Sequence, residues 1–142
     1  MIYLDTGCLL KLYYPEPESE AVAAAVSGEV IAFTPLHELE MVTALQLKVF
    51  RGEAKPEQAA AAGSLIGEDA TAGKLAAVEA DWPTVLRDAA RLAQAHAAKI
   101  GCRSLDILHC ALAMAVKTPV FVSSDARQIG LARAEGMRVL AI

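Results

Sequence analysis

The stretch Ile2-Tyr3-Leu4-Asp5-Thr6 joins three apolar residues directly to an acid and a hydroxyl. Its apolar residues are continuous rather than alternating, which is typical of a short strand in a parallel sheet with helices on both faces. Asp5 follows at once, so the pattern places its carboxylate at the carboxyl end of this strand. The stretch therefore predicts a parallel sheet with an acid at its edge.

Further apolar runs have the same character, since each is short, continuous and rich in β-branched or aromatic residues. A run at Leu75–Val78 is ambiguous, because it fits the end of a helix as well as an edge strand. The clear strand candidates are Val30–Phe33, Val120–Val122 and Met137–Ile142.

Helical patterns lie between these strands, so right-handed crossovers and a mostly parallel sheet of four to five strands are expected in an α/β fold. Ser104 is the predicted cap of one helix, and Gly52 and Gly136 are predicted stops. The 142 residues fit one domain, 1–142, without a repeat or a linker. The predicted helices are Ser19–Ser27, Leu36–Phe50, Pro56 to about Leu65, Thr84–Lys99, Ser104–Val116 and Ala126–Ala134.

The composition excludes some classes of protein. Mean hydropathy is +0.37, yet the longest apolar stretch, Ile107–Val116, has only half of the roughly 20 residues that a membrane span needs. The first residues lack the basic start of a signal peptide. Three cysteines without a Cys-x-x-Cys pair favour a reduced, cytoplasmic protein. The net charge of −4 argues mildly against nucleic-acid binding.

Four acids occupy matching positions in this pattern. Asp5 and Asp125 each follow a strand, and ligands of open parallel sheets bind at such ends. Glu40 lies in the first turns of the helix after Val30–Phe33, and Asp106 in the first turn of the Ser104 helix. Acids grouped there would raise one another's pKa, and a divalent cation such as Mg²⁺ or Mn²⁺ relieves the repulsion. Periodicity does not separate Glu40 from Glu38.

Each acid also has a purely structural explanation. Asp5 fits a turn acid, Asp106 an acid stabilised by the helix dipole, and Asp125 an N-cap. Among the histidines, His109 on its apolar helix is expected to be a hydrogen-bonded core residue. We expect the other two, His37 and His96, at the surface.

Four short motifs together resemble the PIN-domain family, and most of all the VapC-type toxins of bacterial toxin–antitoxin pairs. Each motif is weak alone, but all four occur in the right order along the chain. They are Ile2–Thr6 with Leu9–Tyr13 and Pro15–Glu20, then Leu39–Leu45, Leu105–Ala111 and Phe121–Asp125.

The resemblance implies a metal-dependent endoribonuclease with a three-layer α/β/α fold, usually dimeric and inhibited by a cognate antitoxin. It implies that Asp5, Glu40, Asp106 and Asp125 are the acidic catalytic and metal-binding set, which resolves the choice between Glu38 and Glu40. Hydroxyls of Thr6 and Ser123 would support the metal. Gly7 stands where Ser is common in the family, and Ser123 where Thr is more usual, so this sequence departs from the family pattern around the metal.

The function predicted on these grounds is cleavage of RNA with Mg²⁺ or Mn²⁺ as cofactor. The alternative is a PIN-fold module that binds or assembles without catalysis. Basic residues that would flank an RNA groove are Lys48, Arg51, Arg103 and Arg127. Surplus apolar residues suggest a homodimer, with Met41, Val49 and Phe50 in its interface.

Overall fold

Five parallel strands form the central sheet of the computed structural model, which describes residues 1–142. Strand β1 pairs with β4, and β4 pairs with β5 on its other side. Strand β2 pairs with β3. The ambiguous Leu75 run is thus an edge strand. The bounds are β1 Tyr3–Leu4, β2 Ile31–Phe33, β3 Leu75–Ala77, β4 Val120–Ser123 and β5 Arg138–Ala141.

A single bridge joins the two groups of strands. Ile2 pairs with Ile31 in parallel register. The backbone N–H of Ile2 donates to the carbonyl of Val30 at 2.9 Å, and the N–H of Ala32 donates to the carbonyl of Ile2 at 2.9 Å. The strand order across the whole sheet is therefore β3-β2-β1-β4-β5, as expected for a parallel α/β fold.

Helices cover both faces of this sheet, which makes the expected three-layer α/β/α architecture. One buried cluster packs helices α1 to α4 against the sheet, and a second packs α5, α7 and α8 against the other face. None of the helices combines the length and apolar character of a membrane span. The bounds are α1 Thr6–Leu10, α2 Ser19–Ala25, α3 Pro35–Phe50, α4 Pro56–Thr71, α5 Trp82–Leu92, α6 Ala98–Ile100, α7 Ser104–Ala115 and α8 Ala126–Ala134, with a π-helical segment, Ala93–Ala97, between α5 and α6.

The helices differ from expectation in three places. The helix predicted over Thr84–Lys99 begins at Trp82 and is interrupted by the π-helical segment Ala93–Ala97. Helix α1 was not predicted, because five residues are too few to show a hydrophobic period. Helix α4 continues to Thr71, well past the expected end near Leu65, and it contains both Gly63 and Gly67. The two predicted stops are confirmed: Gly52 and Gly136 have φ of +72° and +76°, a conformation that favours glycine.

The chain reverses its direction across the sheet between β1 and β4. After β1 it proceeds through helices on one face to β2 and β3, and after β4 it proceeds through α8 on the other face to β5. A crevice opens at such a switch point, beyond the carboxyl ends of the two strands. Asp5 and Asp125 follow these two strands, as expected from the sequence.

His37 is fully buried, so its expected surface position was wrong. Its Nε2–H donates to the carbonyl of Leu4 at 2.8 Å, and its Nδ1 accepts from the backbone N–H of Thr34 at 3.1 Å. Those partners require the neutral ring. Burial lowers the pKa of His37 from 6.5 to about 4; His109 lowers it further, whereas the Leu4 carbonyl and Glu40 raise it. His96, also expected at the surface, is partly buried and pairs with Glu135 at 2.6 Å.

His37 makes the stability of the protein depend on pH. Between about pH 6.5 and 4 the unfolded chain binds a proton at this ring and the folded protein does not, so the free energy of unfolding falls as the pH falls. The loss reaches about 3 kcal/mol near pH 4. Urea unfolding across this range should give a flatter profile for His37→Gln than for the wild type. The control, His96→Gln, should keep the steeper His37 slope; parallel profiles for wild type and His37→Gln would contradict the assignment.

Candidate functional site

Asp5 is buried at the point where β1 ends and α1 begins, with 3% of its surface exposed. Its Oδ1 accepts from the backbone N–H of Cys8 at 2.6 Å, which caps α1. Its Oδ2 accepts from the hydroxyl of Ser123 at the end of β4. Both oxygens of this carboxylate thus have donors, and one of these donors comes from the neighbouring strand.

Asp125 lies on the other side of Ser123. The Ser123 Oγ accepts from the backbone N–H of Asp125 at 2.9 Å. The Asp125 Oδ1 caps α8 by accepting from the N–H groups of Arg127 at 2.7 Å and Gln128 at 3.2 Å. Ser123 therefore connects the two aspartates that the sequence placed at adjacent strand ends.

Asp106 lies in the first turn of α7 and is partly buried. Its Oδ2 accepts from the backbone N–H of Arg103 at 2.8 Å, and its Oδ1 accepts from Gln128 Nε2 at 3.4 Å. The predicted cap, Ser104, was wrong: Arg103 is the N-cap residue, and the carboxylate of Asp106 satisfies its N–H. Through Gln128, Asp106 joins the hydrogen-bonded chain that links Asp125, Ser123 and Asp5.

Glu40 is held separately by side chains from α1 and α7. Its Oε2 accepts from the Thr6 hydroxyl at 2.6 Å and from His109 Nε2, also at 2.6 Å. The other ring nitrogen, Nδ1, bonds the Tyr3 hydroxyl at 2.9 Å. His109 is thus the hydrogen-bonded core residue that the sequence predicted. Glu38, the rival of Glu40, is exposed.

The pKa of Glu40 is lowered, contrary to the expectation that grouped acids raise one another's pKa. Burial raises it, but hydrogen bonds from His109 and Thr6 and the nearby imidazoles outweigh burial. Glu40 is therefore a permanent carboxylate at neutral pH. Its Oε2 accepts both of these hydrogen bonds, and its Oε1 accepts none from the protein.

The oxygen atoms at this edge that could bind a metal suit a hard cation. They are carboxylate, hydroxyl and amide oxygens, the ligands of Mg²⁺ and Mn²⁺. The Oε1 of Gln128 is a buried oxygen without a hydrogen-bond donor in the protein. No three His, Cys, Asp or Glu side chains converge on one point. The residues fit a cation that keeps much of its water shell, rather than one enclosed by carboxylates.

Glu40 and Asp106 both line a cavity of about 660 Å³. Arg103 also lines it and is exposed, as is Arg127 at the start of α8. Of the other basic residues expected to flank a groove, Arg51 is exposed. Lys48 pairs with Glu16 at 2.8 Å, so it has little freedom to bind a phosphate.

Sequence reasoning missed Gln128 and Lys11. Lys11 Nζ donates to Ser124 Oγ at 3.0 Å and pairs with Glu18 at 3.2 Å, which places a positive charge beside Ser124. Neither residue carries a signal in a single sequence, because tertiary contacts bring them to the edge: Lys11 contacts a residue 113 positions away, and Gln128 one that is 22 positions away. Gly7 is exposed, and a Cβ there would lie 3.5 Å from Asp5 Oδ1, so a serine at this position would fit.

The sequence matches the model of the PIN domain over residues 2–134, so the chain belongs to the PIN-domain family. Its fold is similar to VapBC2 from Rickettsia felis bound to a DNA fragment from their promoter, with TM-score 0.67 and 15% identity over 100% of this chain and 99% of that one. It is also similar to FitAcB from Neisseria gonorrhoeae, with TM-score 0.64 and 16% identity over 99% and 96%. No curated protein matches the sequence significantly. These structures confirm the PIN-like fold.

Ser123 is expected to be important for stability as well as for the site. Ser123→Ala removes the donor to Asp5 Oδ2 and leaves a buried carboxylate oxygen unpaired, which costs about 1–3 kcal/mol. The neighbouring Ser124→Ala is the matched control, because that side chain is exposed, and its effect should stay within about 0.5 kcal/mol. Urea unfolding of both variants measures the difference. Equal losses would mean that the Ser123–Asp5 contact contributes nothing.

Proposed function

We propose that this protein is a metal-dependent endoribonuclease that hydrolyses RNA phosphodiester bonds, and that it is the toxin of a toxin–antitoxin pair. PIN domains are in general nucleases, and this chain belongs to that family. The observation that carries the proposal is the hydrogen-bonded chain from Asp5 through Ser123 to Asp125 and Gln128 and on to Asp106, at the switch point of the sheet. The assignment of RNA as the substrate and of an antitoxin as the partner rests on the resemblance to VapC-type toxins.

Phosphodiester hydrolysis requires a nucleophilic water and relief of charge at phosphorus. Asp5, Asp106 and Asp125 would hold one or two Mg²⁺ or Mn²⁺ ions, partly through waters. When bound, the cation supplies a water of lowered pKa and neutralises a phosphate oxygen. Thr6 and Ser123 act as supporting hydroxyls, since each donates to an acid of the set.

Glu40 is proposed to orient the attacking water or to bind the cation. Its free Oε1 is available to accept a hydrogen bond from water, while Thr6 and His109 hold Oε2. A general base works best with a pKa near the working pH. The lowered pKa of Glu40 makes it a weak base, which favours orientation or ligation over storage of the proton. The family resemblance suggests products with 5′-phosphate and 3′-hydroxyl ends.

Charge distribution makes an RNA substrate acceptable despite the net charge of −4. With the four site acids neutralised by two divalent cations, the remaining acids equal the 13 Lys and Arg residues in number. Arg103 and Arg127 are exposed at the starts of α7 and α8 and are the proposed phosphate contacts.

Burial raises the pKa of Cys8 to about 12. Such protonated, buried thiols suit the proposed cytoplasmic location.

A homodimer is proposed through an apolar stripe on α3. The interface expected from the sequence was partly wrong, since Met41 is 1% exposed and belongs to the core. Phe50 is 86% exposed and Leu39 is 65% exposed. Eleven residues, about three helical turns, separate Leu39 from Phe50. Val42 and Leu47 each lie three residues from one of them, so the four side chains form one stripe. Exposed apolar surface of this kind marks an interface.

The stripe gives a test of the dimer. Leu39→Ser combined with Phe50→Ser should convert a dimer at micromolar concentration to a monomer, as measured by sedimentation equilibrium. Leu65→Ser is the matched control, because Leu65 is also exposed, at 49%, but lies on α4. A monomeric wild type, or a double variant that stays dimeric, would contradict the stripe as the interface. Binding of the antitoxin would then be the remaining explanation for the exposed apolar stripe on α3.

The alternative is a PIN-fold module that binds or assembles without catalysis. It is favoured by the fact that Asp5, Asp106 and Asp125 all accept hydrogen bonds at helix N-termini, a structural role that needs no metal. Titration with Mg²⁺ or Mn²⁺ separates the two functions, because a ligand that binds the folded state raises thermal stability. No shift at millimolar metal would favour the non-catalytic module.

Asp5→Asn and Asp106→Asn should each abolish RNA cleavage and leave the fold intact. Asparagine keeps an oxygen that accepts the hydrogen bond at the helix start, but it lacks the charge that holds a cation. Cleavage of a labelled RNA by the purified variants measures the effect. Asp88→Asn removes an acid from the exposed face of α5 and should cleave at the wild-type rate. Undiminished cleavage by either site variant would overturn the assignment.

A further inference from the structure

Gln128 lies between two of the proposed metal-binding acids. It is in the first turn of α8 and is 8% exposed. Its side-chain Nε2 donates to Asp106 Oδ1 at 3.4 Å, and its backbone N–H donates to Asp125 Oδ1 at 3.2 Å. One residue thus contacts both carboxylates, and its amide points into the space beside Asp106.

The other end of that amide has no partner. Gln128 Oε1 is buried and accepts no hydrogen bond from the protein. Rotating the amide by half a turn would place this oxygen against the Asp106 carboxylate, so the contact with Asp106 determines its orientation. A buried acceptor without a donor costs free energy, and native proteins satisfy such atoms with water or an ion.

Packing alone does not explain a glutamine at this position. The neighbouring buried residues of α8, Leu131 and Ala132, are apolar and belong to the core. An apolar side chain at 128 would fill the same space without an unsatisfied oxygen. A neutral oxygen beside two carboxylates, in contrast, contributes an acceptor without adding to their mutual repulsion.

We infer that Gln128 is a positioning residue of the metal site. Its Oε1 accepts a hydrogen bond from a water bound to the cation that Asp106 and Asp125 hold, and its Nε2 orients Asp106. This inference rests on the proposed metal-dependent function. Partners that orient metal ligands and waters commonly contribute about 10–100-fold to metal affinity.

Direct measurement of Mn²⁺ binding tests this role without reference to cleavage. The signal of free Mn²⁺ in electron paramagnetic resonance gives the dissociation constant for purified protein. Gln128→Met keeps the size of the side chain but removes both polar atoms, and should weaken Mn²⁺ binding about 10–100-fold. The same substitution should change the thermal stability of the metal-free protein little, because removal of the unsatisfied buried oxygen offsets loss of the long hydrogen bond to Asp106. Gln94→Met, at an exposed position, is the matched control and should bind as the wild type does.

Gln128→Glu provides the opposite change. It keeps an oxygen at this position and adds a negative charge, so it should bind Mn²⁺ at least as tightly as the wild type. Its metal-free form should be less stable, because the new charge faces Asp106. Equal Mn²⁺ affinity in the wild type and Gln128→Met would overturn the inference and leave the proposed function standing. A wild type that binds no Mn²⁺ would overturn both.

Discussion

The buried carboxylate of Asp5 is the interaction on which the rest of this structure depends. It ends the central strand β1, caps the helix that follows, and accepts the hydroxyl of Ser123 from the adjacent strand β4. A buried carboxylate is costly unless it is hydrogen bonded. The chain therefore has to bring the first and fourth strands together at this point, and the crevice of the candidate site follows from that pairing.

The other two aspartates also accept hydrogen bonds at the start of a helix. Asp106 and Asp125 each accept backbone N–H groups at a helix N-terminus, where the helix dipole also favours negative charge. Helix starts at the carboxyl edge of a parallel sheet lie close together, so capping and chemistry require the same positions. Glu40 differs, because it lies inside its helix and is held by the side chains of Thr6 and His109. Its position depends on tertiary packing alone.

This difference explains how much the sequence could predict. Asp5 and Asp125 were placed correctly because an acid after a short apolar run is a local signal. The burial of His37 on α3 was missed, since its partner is the carbonyl of Leu4 on strand β1. Gln128 was missed for a similar reason, because its side chain hydrogen bonds Asp106 on a different helix. The positions of the strands were predictable from short apolar runs in the sequence, whereas polar contacts between helices and strands were not.

The narrow join between β1 and β2 has a consequence for local opening of the protein. Backbone pairing at this join is one bridge at Ile2, and the remaining polar connections across it come from side chains such as His37 and His109. Regions linked by few backbone hydrogen bonds open more readily than the strands on either side. Amide hydrogens of β2 and β3 should thus exchange with solvent as a unit separate from those of β4 and β5. Such opening would also move Glu40, on α3, away from the three aspartates.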